Sequence, residues 1–278
     1  MKELTEKERL DRNGHILRSY DWDYSEGWQG RLASKLTPII QELYVDLEGL
    51  ERNLEDLGLD NKKIKQFIEK SLKATIPSVS TDKRPENFQV RRADFAELLS
   101  LICLEGLHNT NVPVKNLFFR ELTHAASRGV DILGYEYAGG NISLIICEVK
   151  GSKDKSSPPS VVHGTEDSMK AQLYSYVSDR QKTLNRILDV HKKTTPEHKE
   201  ILFKIALWWS QGNASALKVV VCPFLVRQAE YYKSDDFGFF KDEPDHFNPA
   251  QVRFLIVCIH DDIVELSNMI YKEASKAK

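Results

Sequence analysis

The chain has 278 residues, 41% hydrophobic and 29% charged, with a formal net charge of −2. This is ordinary globular usage, enough for one large domain or a core with an appendage, and it excludes a polybasic field able to hold the protein on nucleic acid by itself. The charged start and the lack of a span-length apolar stretch predict a cytoplasmic protein without membrane contact.

In chain order, residues 1–88 read as a helical N-terminal region suited to docking a partner. Trp22 and Trp28 are expected to pack onto their own domain, as most tryptophans do. Apolar residues at helical spacing (Ile39, Ile40, Leu43, Leu47, Leu50) predict a helix over 36–57, and Asp60 is placed to cap a second helix through Leu72. Pro77, the Ser-Thr-Asp run and Pro85 mark the boundary to a second region, 89–278. There a helix over 94–106 carries Phe95, Leu98, Leu99, Ile102 and Cys103 on its apolar side. An extended run over 116–123 follows, then a hairpin and a lysine- and proline-containing loop over 151–167. Helices over 168–190 and 197–210 lead to strands over 217–225 and 252–260 and a C-terminal helix. Trp208 and Trp209 are expected to pack against the sheet, and the aspartates after His260 to cap the last helix. The acidic, aromatic stretch 231–246 lacks periodicity. Helices interleaved with a short mixed sheet predict an α/β fold. Cys103, Cys147, Cys222 and Cys258 each sit in an apolar run, without Cys-x-x-Cys or histidine at zinc spacing. They read as buried free thiols of a reducing compartment.

The most informative segment runs from Arg128 to Gly151. Apolar, β-branched runs flank Gly139-Gly140, which is a hairpin signal. With the two glycines as the loop, Ala138 pairs with Asn141 and the ladder brings Asp131 opposite Glu148. Cross-strand partners have Cβ atoms about 5 Å apart. Two carboxylates so close repel unless something positive lies between them, and oxygen ligands at that separation suit Mg²⁺. Lys150 points to the same face as Glu148. Glu-x-Lys also occurs on many solvent-facing strands, but here its same-face neighbours Leu144 and Ile146 are apolar, so the charges require pairing or coordination. A one-residue slip of register would put Glu148 on the face opposite Asp131.

The order helix, three strands, helix, strand, with Gly129-Val130-Asp131 before the turn and Glu148-Val149-Lys150 after it, resembles the PD-(D/E)xK nuclease superfamily, with valine in place of the proline. Glu97 falls where members place a helical glutamate, and Gln172 and Tyr176 match the glutamine and tyrosine one turn apart in RecB-like branches. The resemblance implies a restriction-endonuclease-like core. Asp131, Glu148, the Val149 carbonyl and Glu97 would be metal ligands for Mg²⁺, with Mn²⁺ able to substitute. Lys150, Gln172 and Tyr176 would be catalytic, and Lys153 and Lys155 would contact nucleic acid. The Ala-Glu-Leu-Leu helix, the Arg-Gly-Val-Asp-Ile-Leu-Gly strand and the N-terminal extension look most like the nuclease subunit of the Hachiman anti-phage system. That implies a DNA nuclease acting with a helicase partner. A stand-alone restriction endonuclease would need a reading surface, and only loop 151–167 offers one. A catalytically silent binding subunit is disfavoured by the intact Asp, Glu and Lys. The Gly-x-Ser-x-Gly elbow and the phosphate-binding Gly-rich loop are both missing from the sequence.

Overall fold

The computed structural model describes residues 2–76, 85–114, 130–212 and 216–276, with backbone alone for 85–92 and 138. A six-stranded sheet is built from β1 (Leu4–Arg12), β2 (His15–Trp22), β3 (Ile132–Ala138), β4 (Asn141–Ser152), β5 (Leu217–Gln228) and β6 (Gln251–Ile259) in the order β1-β2-β6-β5-β4-β3. Strands β2, β6, β5 and β4 run parallel, and antiparallel hairpin partners close both edges. The central strands are buried almost throughout, as parallel strands covered on both faces must be.

The helices are α1 (Trp28–Tyr44), α2 (Leu47–Asp56), α3 (Asn61–Thr75), α4 (Pro85–His108), α5 (Ser160–His163), α6 (Met169–Ser178), α7 (Arg180–Lys193), α8 (Pro196–Gln211), α9 (Phe239–Asp242) and α10 (Ile263–Ala274). On one face Leu36 and Ile40 of α1, Phe95 and Leu99 of α4 and Ile270 of α10 pack with Cys147, Val149 and Phe224. On the other, Leu173 of α6, Ile187 of α7 and Ile205 of α8 pack with Leu144, Ile146 and Leu225. The mixed α/β expectation is met. Among the described residues no helix is long and apolar enough to cross a membrane.

Several elements differ from expectation. The N-terminal region is not wholly helical: residues 4–22 form a hairpin whose second strand pairs with β6. Its outer strand, Leu-Thr-Glu-Lys-Glu-Arg-Leu-Asp-Arg, has the charge of a protected sheet edge and little apolar alternation. The legible signal was Asn13-Gly14, both at positive φ, as a two-residue hairpin turn requires. The helix expected over 36–57 breaks at Asp46, whose side chain accepts from the Gly49 amide and starts α2. That over 168–190 breaks at Asp179, which accepts from Lys182 and starts α7. In both cases apolar spacing continues across the break while the carboxylate takes backbone donors from the helix. Asp60 and Asp262 cap α3 and α10 as expected. Residues 231–246 are short helical turns whose Phe237 and Phe240 bury against Phe254 of β6. Trp22, Trp28 and all four cysteines are buried. The expected strand over 116–123, residues Arg128 and Gly129, and the boundary segment 77–84 lie outside the described residues.

Beneath the end of α4, Arg253 of β6 reaches across β5 and β4 to Glu136 of β3, with Nη1–Oε1 at 2.5 Å and Nη2–Oε2 at 3.0 Å. Thr110 donates to the same carboxylate at 2.6 Å. Burial pushes the Glu136 pKa up, but the guanidinium hydrogen bonds and charge outweigh it and hold the group below the usual range. Glu136→Gln is expected to lower the unfolding free energy by about 3 kcal/mol near neutral pH, since it leaves a buried guanidinium without its countercharge. The carboxylate's contribution is present above its unfolded pKa and lost as pH falls through the native one. The gap between wild type and variant in urea titrations should therefore close in acid.

Candidate active site

Gly139 and Gly140, at φ 58 and 84, make the two-residue turn between β3 and β4. The register runs from Ala138↔Asn141 to Ile132↔Cys147, and Asp131 and Glu148 are the next residues along the two chains. Side chains alternate along a strand, so Glu148 stands on the face of Leu144 and Ile146, the one covered by α6. Asp131 precedes β3 and its Oδ2 accepts the Val149 amide at 2.7 Å, which ties it to the neighbouring strand. Glu148 is only 4% exposed. Lys150, two residues on, places Nζ 3.0 Å from Glu148 Oε1. On the other side of Glu148 its register partner is Pro223 of β5, which has no amide hydrogen to donate.

The surroundings extend this pair. Asp167, largely exposed, lies 3.9 Å from Lys150 Nζ and accepts from Gln172 Nε2 at 2.8 Å. Gln172 therefore reaches the cluster through Asp167. The hydroxyl of Tyr176, on the same helix, accepts the Val130 amide at 2.8 Å. Arg186 of α7 donates to the Val130 carbonyl at 3.3 Å and pairs with Asp189 at 3.0 Å. Thus the peptide groups on both sides of Val130 are held, and Asp131 is the next residue. Tyr176 acts here as a positioning residue. Neither Asp167 nor Arg186 carries a local sequence signal, because each joins the cluster only through the docking of α6 and α7.

Burial and the charge of Asp131 push the Glu148 pKa up to about 8, which Lys150 offsets only in part. Burial disfavours charge on Lys150, but Glu148, Asp131 and Asp167 outweigh it and hold its pKa above the usual value. Among the described residues Lys150 pairs with Glu148, and Asp131 sets a second carboxyl close enough to raise the Glu148 pKa, so the site offers two carboxyl groups as oxygen donors. That fits a divalent cation bound through oxygen. Glu97 is buried on α4, whose apolar residues pack on the opposite face of the sheet. Among the described residues no group of three or more His, Cys, Asp or Glu side chains is arranged to hold a metal ion, so Asp131 and Glu148 stand as a pair.

Lys153 and Lys155 follow directly after β4 and are exposed. Lys153 lies 3.8 Å from Asp262 and Lys155 stands 5.9 Å from the Tyr231 ring centroid. Their loop is pinned from below by the fully buried Arg227, which pairs with Asp236 at 2.8 Å and donates to the carbonyls of Asp154, Ser156 and Tyr231.

Two outcomes test this geometry. Tyr176→Phe removes the acceptor of a buried amide and is expected to cost about 1–3 kcal/mol in chemical denaturation. Glu148→Gln should stabilise the metal-free protein in mildly alkaline buffer. The native carboxyl holds its proton to about 8 while the unfolded chain releases it earlier, so wild-type stability falls over that interval as pH rises. Thermal midpoints of the two proteins should converge in acid, where both forms are neutral.

Comparison with known proteins gives one family: the model described as HamA matches residues 2–223, from the N-terminal hairpin into β5 and across every residue of the cluster above. No curated protein and no solved structure matches. The chain belongs to the HamA family, a component of Hachiman anti-phage defence.

Proposed function

We propose that this chain is a metal-dependent deoxyribonuclease, with Asp131 and Glu148 as ligands of Mg²⁺ or Mn²⁺, acting as the effector of Hachiman defence together with a helicase subunit. The observation that carries the reading is the meeting of Asp131 and Glu148 just beyond the β3–β4 ladder, with Asp131 Oδ2 accepting the Val149 amide and Lys150 ion-paired to Glu148. The motif resemblance to PD-(D/E)xK nucleases and the HamA family membership support it.

The Val149 carbonyl is the third donor of the proposed set, and its strand is held in place by Asp131 itself. Bound there, the metal would polarise a phosphate oxygen and make hydroxide available near neutral pH. Lys150 would orient the attacking water and oppose charge developing on the phosphorus oxygens, an interaction strongest in the transition state. Asp167 and Gln172 steer the ammonium from the solvent side, and Tyr176 with Arg186 keeps Asp131 from swinging away. Lys153 and Lys155 would contact the scissile strand's backbone. Glu97 is left outside the proposed donor set.

Plasmid and linear DNA incubated with the full chain, with and without the helicase subunit, provide the test. Cutting should require Mg²⁺ or Mn²⁺ and fall at least about 100-fold in the Glu148→Ala, Lys150→Ala chain. Mg²⁺ should also raise the thermal midpoint of the wild type and leave that of Glu148→Gln unchanged. Equal behaviour of both chains in every condition would replace the nuclease with a silent binding subunit. Cutting that is sequence-specific and independent of the helicase would favour a stand-alone restriction enzyme.

A further inference from the structure

Near-neutral overall charge conceals a concentrated patch. Helix α3, Asn-Lys-Lys-Ile-Lys-Gln-Phe-Ile-Glu-Lys-Ser-Leu-Lys-Ala-Thr, holds Lys62, Lys63, Lys65, Lys70 and Lys73 against the single acid Glu69. All five lysines are exposed. At 100° per residue, Lys62, Lys63, Lys70 and Lys73 fall within an arc of about 100°, forming a stripe about 16 Å long. Lys63 lies 3.6 Å from Asp60 and Lys73 pairs with Glu69. Among the described residues Lys62 and Lys70 make no ion pair, and none of the acids of the adjoining α2 pairs with the stripe.

We propose that this stripe is a sequence-independent contact for the phosphate backbone of duplex DNA, separate from the loop of Lys153 and Lys155. The inference rests on the nuclease reading for its biological sense, not for its test. Charge complementarity favours this occupant: each strand of a duplex carries one negative charge per about 3.4 Å of axis, so a phosphate row that faces the stripe meets several ammonium groups held within one arc. Lysine gives point charges on flexible stems, which suits phosphates without reading bases. A protein partner fits less well, because interface cores are depleted of lysine. An anionic membrane fits less well too, because binding there needs a free apolar face. In α3, Ile64 and Leu72 are already buried and Ile68 packs on the core, which leaves Phe67 as the one exposed large apolar side chain of the helix, too little for a membrane-inserting face.

The test measures anisotropy of a short fluorescent duplex against the full chain carrying Glu148→Gln, in EDTA, across a salt series. Binding is thereby read without cleavage, so loss of the nuclease reading and loss of this one are distinguishable. Adding Lys62→Gln, Lys63→Gln and Lys70→Gln should weaken binding at least about 10-fold at low salt and reduce the slope of log K against log salt by about 2 to 3, near 0.9 per lost contact. Lys192→Gln, Lys199→Gln and Lys272→Gln, exposed lysines outside α3, make the same change in net charge. This second triple should leave the slope within about one unit. Unchanged thermal midpoints would show that both variants fold. Equal weakening by both triples would make net charge, not the stripe, the cause and overturn the proposal. So would a slope equal to the parent's, or loss of helicase association with DNA binding intact.

Discussion

The antiparallel ladder between β3 and β4 is the constraint on which the candidate site depends. Backbone hydrogen bonds set its register, yet their consequence is electrostatic: just beyond its last pair, Ile132↔Cys147, come Asp131 and Glu148, with Lys150 paired to Glu148. A slip by one residue would carry Glu148 to the face of Ile145 and Cys147, against the apolar cluster of α1, α4 and α10, so the buried charge itself disfavours the wrong register. The same core that stabilises the sheet therefore holds two carboxylates where they repel. Burial of Glu148 makes that repulsion expensive and leaves the metal-free protein with a carboxyl that resists ionising. Natural proteins tolerate such local conflict where a ligand relieves it.

Rigidity around the pair comes from two directions. Along the sheet, β4 pairs with β3 as far as Cys147 and continues beside β5, where Glu148 lies opposite Pro223 and Lys150 opposite Leu225. Across the face, Tyr176 and Arg186 grip Val130, while Asp167 links Lys150 to Gln172. These contacts come from α6 and α7 on either side of the break at Asp179. The helix break lets one helix present Tyr176 and the next present Arg186 to the same peptide. Arg227 does comparable service for the loop beyond β4, satisfying three carbonyls in a place where unpaired backbone would be costly.

Charge is arranged locally in a chain with nearly balanced totals. The carboxylate pair lies at one end of the sheet, and the lysines of α3 stand on a helix anchored by its apolar side to the opposite core cluster. HamA family membership covers both, since the match runs over residues 2–223.

The sequence by itself determined what is local. Gly139-Gly140 between β-branched runs specified the turn, and with it the register from Ala138↔Asn141 to Ile132↔Cys147. The cap residues Asp60 and Asp262, the burial of the cysteines and the α/β class followed from spacing and composition. Tertiary structure alone decided the rest. A charged edge strand has no apolar alternation to announce it, and Asn13-Gly14 marks only a turn, so the docking of that hairpin beside β6 through β2 stayed hidden. Continuous apolar spacing masked the breaks at Asp46 and Asp179, where a carboxylate competes for backbone donors. Residues 231–246 carry no period because their phenylalanines fill gaps over β6 instead of lining one face. Asp167 and Arg186 join the site through contacts 17 residues beyond Lys150 and 56 beyond Val130, distances that no local pattern spans. Arg253 finds Glu136 only after two strands have been laid between them. Short-range backbone chemistry is written in adjacent residues, whereas a long-range ion pair or clamp exists only once the chain has closed around it.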